Sequence, residues 1–255
     1  MKLRSAVVAA NIGFMILLAA GAAAEAAEIK VLSGNGAKAA ITELAAQFER
    51  ASGHKVVIHF EVNPAVKAKI EAGEPFDVAV LNPPVLDDLI RQRKIVADTR
   101  AVIGRAGIGA AVRAGVPKPD ISSVEAFKRT LLSVKSVAYP GEGASGKYFV
   151  SLVDRLGITT EMRPKMRPMP AEYNVEVVGT GEVDLVVVVA SRISGVPGVQ
   201  SLGTIPQALQ TWIGFTAGVG SDAREPGAAR EMIRFFTAPA AAPVLRALGV
   251  EPFVE

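Results

Sequence analysis

The sequence predicts an α/β protein of two lobes, each a mixed, mostly parallel sheet flanked by helices, with a ligand cleft between them. Three observations predict it. Short β-branched runs alternate with stretches of helical period along the chain, as the crossover connections of parallel strands require. Two such strand–helix sets occur, separated by a glycine-punctuated strand from Arg105 to Arg113. The 255 residues are 50% apolar and 21% charged and include no cysteine, so a large core must hold the chain without disulfides. The same composition excludes a disordered chain, a cysteine-ligated metal protein and a thiol enzyme.

Residues 1–26 stand apart from this fold. Lys2 and Arg4 precede an uncharged run from Ser5 to Ala24, and two A-x-A patterns end at Ala24 and Ala26. That is the layout of a cleaved signal peptide. A membrane anchor is the competing reading, weakened by Asn11, Gly13, Gly21 and the alanine-rich end. No later apolar run is long enough to span a bilayer; the longest, Val183 to Ala190, is of strand length and carries Asp184. A soluble domain exported to a bacterial periplasm is expected. Its 28 Lys and Arg against 25 Asp and Glu are spread along the chain, so nucleic acid is not an expected partner.

The first set reads βαβαβα. Ile29 to Ser33 is a strand, and Ala37 to Arg50 a helix with Ile41, Leu44, Ala45 and Phe48 on one face. Strand Lys55 to Glu61, helix Ala65 to Ala72, strand Phe76 to Leu81 and helix Val85 to Arg93 follow. In the second set, Ser122 or Ser123 caps a helix from Val124 to Leu132, with Glu125 in its first turn. Then come strand Ser136 to Tyr139, helix Lys147 to Leu156, a short helix near Glu161, a helix near Glu172 to Val178 and strand Val183 to Ala190. The three prolines and three basic residues between Glu161 and Pro170 read as a solvated turn. A strand from Trp212 to Val219 and helices Gly227 to Phe236 and Ala240 to Leu248 complete the chain, the last helices returning to the first lobe.

Ligands of parallel α/β sheets sit beyond the carboxyl ends of the strands, where helix starts present free N–H groups. Four loops qualify. Ser33 to Ala37 offers Asn35 and the glycines Gly34 and Gly36; Val62-Asn63-Pro64 and Leu81-Asn82-Pro83 each offer an asparagine that could equally cap a helix. The fourth, Gly141 to Tyr148, matches G-x-x-x-x-G-K, but Tyr148 stands where Mg²⁺ needs Ser or Thr. Nucleotide hydrolysis is rejected, and Ser145, Gly146 and Lys147 remain as an anion-holding helix start. His54 and His59 are expected on opposite faces of a strand, not in a metal site. No catalytic constellation is evident. Glu142, Asp184 and Glu61 are candidate acids that the sequence cannot bring together.

The opening IKVLSGNGAKAAITELAAQFERASG, then KIEAGEPFDVAVLN, VEAFKRTLLSVKSVAYPGEGASGKY and AAREMIRFFTAPAAAPVLRALGVEPF resemble the molybdate-binding-protein-like group of type II periplasmic solute-binding proteins. The resemblance covers essentially the whole exported chain. It implies two lobes joined by crossing strands, residues 27–104 plus 207–255 forming the first and 105–206 the second. It also implies a monomer that closes on a small anion and delivers it to an ABC permease, with no metal or organic cofactor. The family's two first-lobe serines fall on Gly36 and Asn63, its second-lobe small residue on Ser145, and a backbone contact near Asn174. Its tyrosine falls on Ala190, followed by Ser191. Those replacements favour an organic carboxylate over molybdate, with Asn35, Asn63, Asn82, Ser145 and Ser191 as donors and Lys147 or Arg192 helping to neutralise it. The chain also resembles the periplasmic aconitate isomerases, which move a proton on a tricarboxylate; on that alternative the cleft is catalytic.

Overall fold

A computed structural model describes residues 26–170 and 175–253. The predicted signal peptide, except its last residue, and Asn174 lie outside the described residues. Ten strands form one sheet, eight of them in the order β2-β1-β3-β9-β4-β7-β5-β6, with β8 and β10 off this path and paired to β4. In chain order the strands are β1 (Glu28–Gly34), β2 (Lys55–Glu61), β3 (Val78–Leu81), β4 (Ala101–Arg113), β5 (Val137–Pro140), β6 (Met166–Met169), β7 (Leu185–Val189), β8 (Val199–Thr204), β9 (Trp212–Val219) and β10 (Glu251–Pro252). The helices are α1 (Lys38–Ser52), α2 (Asn63–Glu71), α3 (Pro83–Arg91), α4 (Val124–Ser133), α5 (Ala144–Arg155), α6 (Thr159–Met162), α7 (Glu176–Thr180), α8 (Pro226–Thr237) and α9 (Ala242–Ala247).

The predicted mixture of parallel and antiparallel pairing is present. β1 pairs in parallel with β2 and β3, and β5 in parallel with β6 and β7, whereas β9 and β4 run antiparallel to their neighbours. Each half of the sheet is covered on both faces. On β1, Ile29 and Val31 meet Ile41, Leu44 and Phe48 of α1 and Met232 and Phe236 of α8; on the reverse, Leu32 meets Val66 of α2 and Leu86 and Leu89 of α3. On β7, Leu185 and Val187 face Phe127, Leu131, Phe149 and Leu152, and Val186 and Val188 face Val177 and Val178. Strand alternation thus divides one apolar run between two cores.

β4 joins the halves. Its residues 101–107 pair with β9, its residues 108–111 with β7 and its residues 109–113 with β8. The expected lobe boundary after residue 104 falls inside this strand, which begins at Ala101 and not at Arg105. Where β4 changes partners, the Gln210 side chain stands in for a missing strand. Its Oε1 accepts the N–H of Ile108 at 2.6 Å, and its Nε2 donates to the Ile108 carbonyl at 3.0 Å. Beside it, the Arg105 guanidinium lies 4.2 Å from the Trp212 ring centre.

Three further readings change. The short helix expected near Glu161 is α6, but the predicted turn that follows contains the edge strand β6, whose proline and basic residues are edge-protecting features that read as loop in sequence. β8, with none of its residues buried, carries no apolar alternation to announce it. Helix α5 begins at Ala144, three residues before Lys147, because Gly143 takes φ 95° and turns the chain into the helix. The α4 cap is Ser123, whose Oγ accepts the Ala126 N–H at 3.1 Å.

Candidate functional site

The strand-end loops converge where the two sheet halves face each other. Asn35, Gly36, Asn63, Asn82 and Ser145 line one cavity of about 60 Å³. That is a few times the ~15 Å³ needed to seat a single water, so an organic acid of several carbons requires the halves to part. Val188, Val189 and Ile213 supply apolar wall, and Glu142 and Arg192 the charged groups.

Neither asparagine caps its helix through its side chain. The α2 N-cap position is Val62, and Asn82, although at the N-cap position of α3, makes no side-chain cap bond. Instead Asn63 Oδ1 accepts the Asn82 N–H at 2.8 Å, and Asn82 Nδ2 donates to the Gly214 carbonyl at 2.8 Å. The pair ties the start of α2 to the end of β3 and to β9. Gly34 makes this possible, since a Cβ there would stand 2.7 Å from Asn63 Nδ2. A Cβ on Gly36 would stand 2.6 Å from the Phe215 ring, so that glycine serves packing against β9 while its backbone lines the cavity.

On the opposite side, Gly146 sits against the end of β5: a Cβ there would fall 1.7 Å from the Pro140 carbonyl oxygen. The first turn of α5 is therefore pressed onto the strand, which sets Ser145, itself buried, into the cavity wall. Gly146 and Lys147 do not line the cavity, and Lys147 is exposed. Ser191 is buried, donates from Oγ to the Gly36 carbonyl at 2.5 Å, and borders a separate open groove of about 660 Å³ beside Lys38, Thr42 and Leu248. It connects the halves beside the cavity instead of lining it. Arg192 lines both spaces.

Of the three candidate acids only Glu142 reaches the cavity. Asp184 Oδ2 accepts the N–H groups of Lys135 and Ser136, and Glu61 pairs with Lys69. His54 precedes β2, buried, with Nδ1 accepting the Ala27 N–H at 3.0 Å and Nε2 lying 3.6 Å from Glu231; His59 is exposed. Among the described residues no group of three or more His, Cys, Asp or Glu is placed to hold a metal ion, and no helix is long and apolar enough to cross a membrane. Sequence reasoning missed Ile213, which nothing distinguishes from its strand neighbours, and Gln210, a lone polar residue in a connection.

Residues 29–251 match the family model described as bacterial extracellular solute-binding protein. The chain belongs to that family. An aconitate isomerase of Pseudomonas sp is 33% identical over 230 residues, covering 88% of this chain and 87% of the relative. The molybdate-binding protein ModA of Azotobacter vinelandii is 25% identical over 89% of this chain and 91% of its own. Among solved structures, the periplasmic molybdate-binding protein of Azotobacter vinelandii superposes with a TM-score of 0.75 at 19% identity, covering 89% of this chain and all (100%) of the other. The fold is that of the type II periplasmic binding proteins, in which solute binding and work with ABC permeases are the common themes.

Proposed function

We propose that this chain is the periplasmic solute-binding component of an ABC transporter, and that its ligand is a small anion, an organic carboxylate in preference to molybdate. The observation that carries the reading is the convergence of Asn35, Gly36, Asn63, Asn82 and Ser145 on one cavity between the sheet halves. Neutral amides, a hydroxyl and the backbone N–H groups of a helix start are the donor set that holds an anion without a matching charge for each oxygen. On this reading residues 27–104 plus 207–255 form one lobe and 105–206 the other. The signal peptide is removed, and a monomer closes on its ligand before docking to the permease. Lys147, exposed one turn along α5, and Ser191, linking the halves, act at the margin; Gly146 acts by seating the helix.

Ligand binding to the folded state raises thermal stability, so a panel of oxyanions and of di- and tricarboxylates tests the reading directly. One carboxylate class is expected to raise the melting temperature; a panel with no shift rejects the proposed pocket. A second reading is supported by the 33% identity to an aconitate isomerase over 88% of the chain and by Glu142 at the cavity rim. On it, the same cleft moves a proton on a tricarboxylate, with a base at the acidic carbon and donors for the developing charge. Incubation with cis- or trans-aconitate, followed by chromatography for the other isomer, decides it: no turnover leaves binding alone.

A further inference from the structure

The cavity has a polarity fixed by bonds made outside it. Asn63 Oδ1 is occupied by the Asn82 N–H, so the edge Asn63 has to offer is its Nδ2, a donor. One N–H of Asn82 Nδ2 donates to the Gly214 carbonyl, which orients the amide and leaves its second N–H and its Oδ1 to the cavity. Glu142 adds a carboxylate, which only accepts. Asn63, Ser145, Arg192 and the start of α5 therefore give hydrogen bonds, and Glu142 asks for them.

A fully deprotonated oxyanion such as sulfate or molybdate presents lone pairs in every direction. It satisfies the donors, Arg192 among them, but sets negative charge against Glu142, and that conflict sharpens as closure removes water. An anion that also carries an O–H satisfies both at once. We propose that Glu142 is the specificity-determining residue of the cleft, restricting it to small anions that bring a hydrogen-bond donor, whether the hydroxyl of a hydroxy acid or the retained proton of a phosphate group. This rests on the cleft being the anion site. A site built around a ligand hydroxyl rejects the analogue lacking it far more strongly than a shape-selective pocket does.

The test uses three matched pairs on the mature protein at pH 7: malate with succinate, citrate with tricarballylate, phosphate with sulfate. Calorimetric titration is expected to show the donor-bearing member of one pair binding at least tenfold tighter. A response confined to phosphate assigns a phosphate group, and one in either carboxylate pair assigns a hydroxy acid. Glu142→Gln, at an exposed rim position, is expected to keep its melting temperature without ligand, to lower that ratio below threefold and to gain affinity for the donor-less partner. Equal affinities within every binding pair, or a ratio that Glu142→Gln leaves unchanged, overturn the proposal. If none of the six anions binds the unmutated protein, the anion-cleft reading fails and the inference falls with it.

Discussion

At the scale of single residues, what a side chain does here is set by which of its atoms are already engaged. Asn63 shows how to separate its two roles. Asn63→Asp keeps an oxygen to accept the Asn82 N–H at its 2.8 Å position but replaces the Nδ2 donor with an acceptor bearing charge. Its expected result is an unchanged urea midpoint and a loss of anion affinity of tenfold or more, read by calorimetry. Thr216 shows the reverse situation, a group with no role in the ladder: it is fully buried on β9 and its Oγ1 has no hydrogen-bond partner. Thr216→Val removes the stranded hydroxyl at nearly constant shape and is expected to stabilise the protein by about 1 kcal/mol in urea denaturation. The sequence made Asn35, Asn63, Asn82 and Ser145 legible as candidates because they lie in strand-end loops that open helices, and the fold brings them to one cavity. It could not show that Asn63 and Asn82 bond across the sheet to each other and to Gly214, since those partners are remote in sequence.

Elements were legible wherever burial was one-sided or complete. The apolar stripe of α1 and the β-branched runs of β1 and β7 follow directly from periodicity, whereas β6 and β8, at margins with few buried residues, leave no such trace. Packing between elements then adds constraints that no pattern displays. Gly146→Ala would drive a methyl group into the Pro140 carbonyl and lift α5 off β5. A loss of about 3 kcal/mol is expected in denaturant titration, with weaker ligand binding because Ser145 moves with the helix. Helices α2 and α3 are linked by Lys67, which lies 2.6 Å from Asp88, and Arg91 also reaches Asp88 at 2.8 Å. The Lys67 hydrogen bond, with Arg91 beside it, holds the Asp88 carboxyl below its ordinary range. A folded value below the unfolded one gives stability that is present above the ordinary carboxylate range, near pH 4, and is lost as pH falls through the lower folded value. Asp88→Asn is therefore expected to give a shallower decline of the urea midpoint on acidification below about pH 4.

For the whole molecule, the decisive element is β4, because both halves draw ladder bonds from one uninterrupted strand. Two lobes were legible from the repeated strand–helix order, and the boundary expected between residues 104 and 105 falls within β4, the strand both halves share. Shared pairing predicts that the halves unfold together. Chemical denaturation should show one transition by circular dichroism and by fluorescence alike. Gln210→Ala, which leaves the Ile108 N–H without its 2.6 Å partner, is expected to lower stability by about 2 kcal/mol without splitting that transition. The same crossing holds the chain's one tryptophan, Trp212, partly exposed at the first residue of β9 and stacked on Arg105 of β4. Any bend of β4 against β9 changes how that indole is covered. The protein thus carries its own optical reporter, placed by the fold where the two halves share a strand, and on the proposed function a stopped-flow fluorometer is expected to time ligand capture without an attached dye.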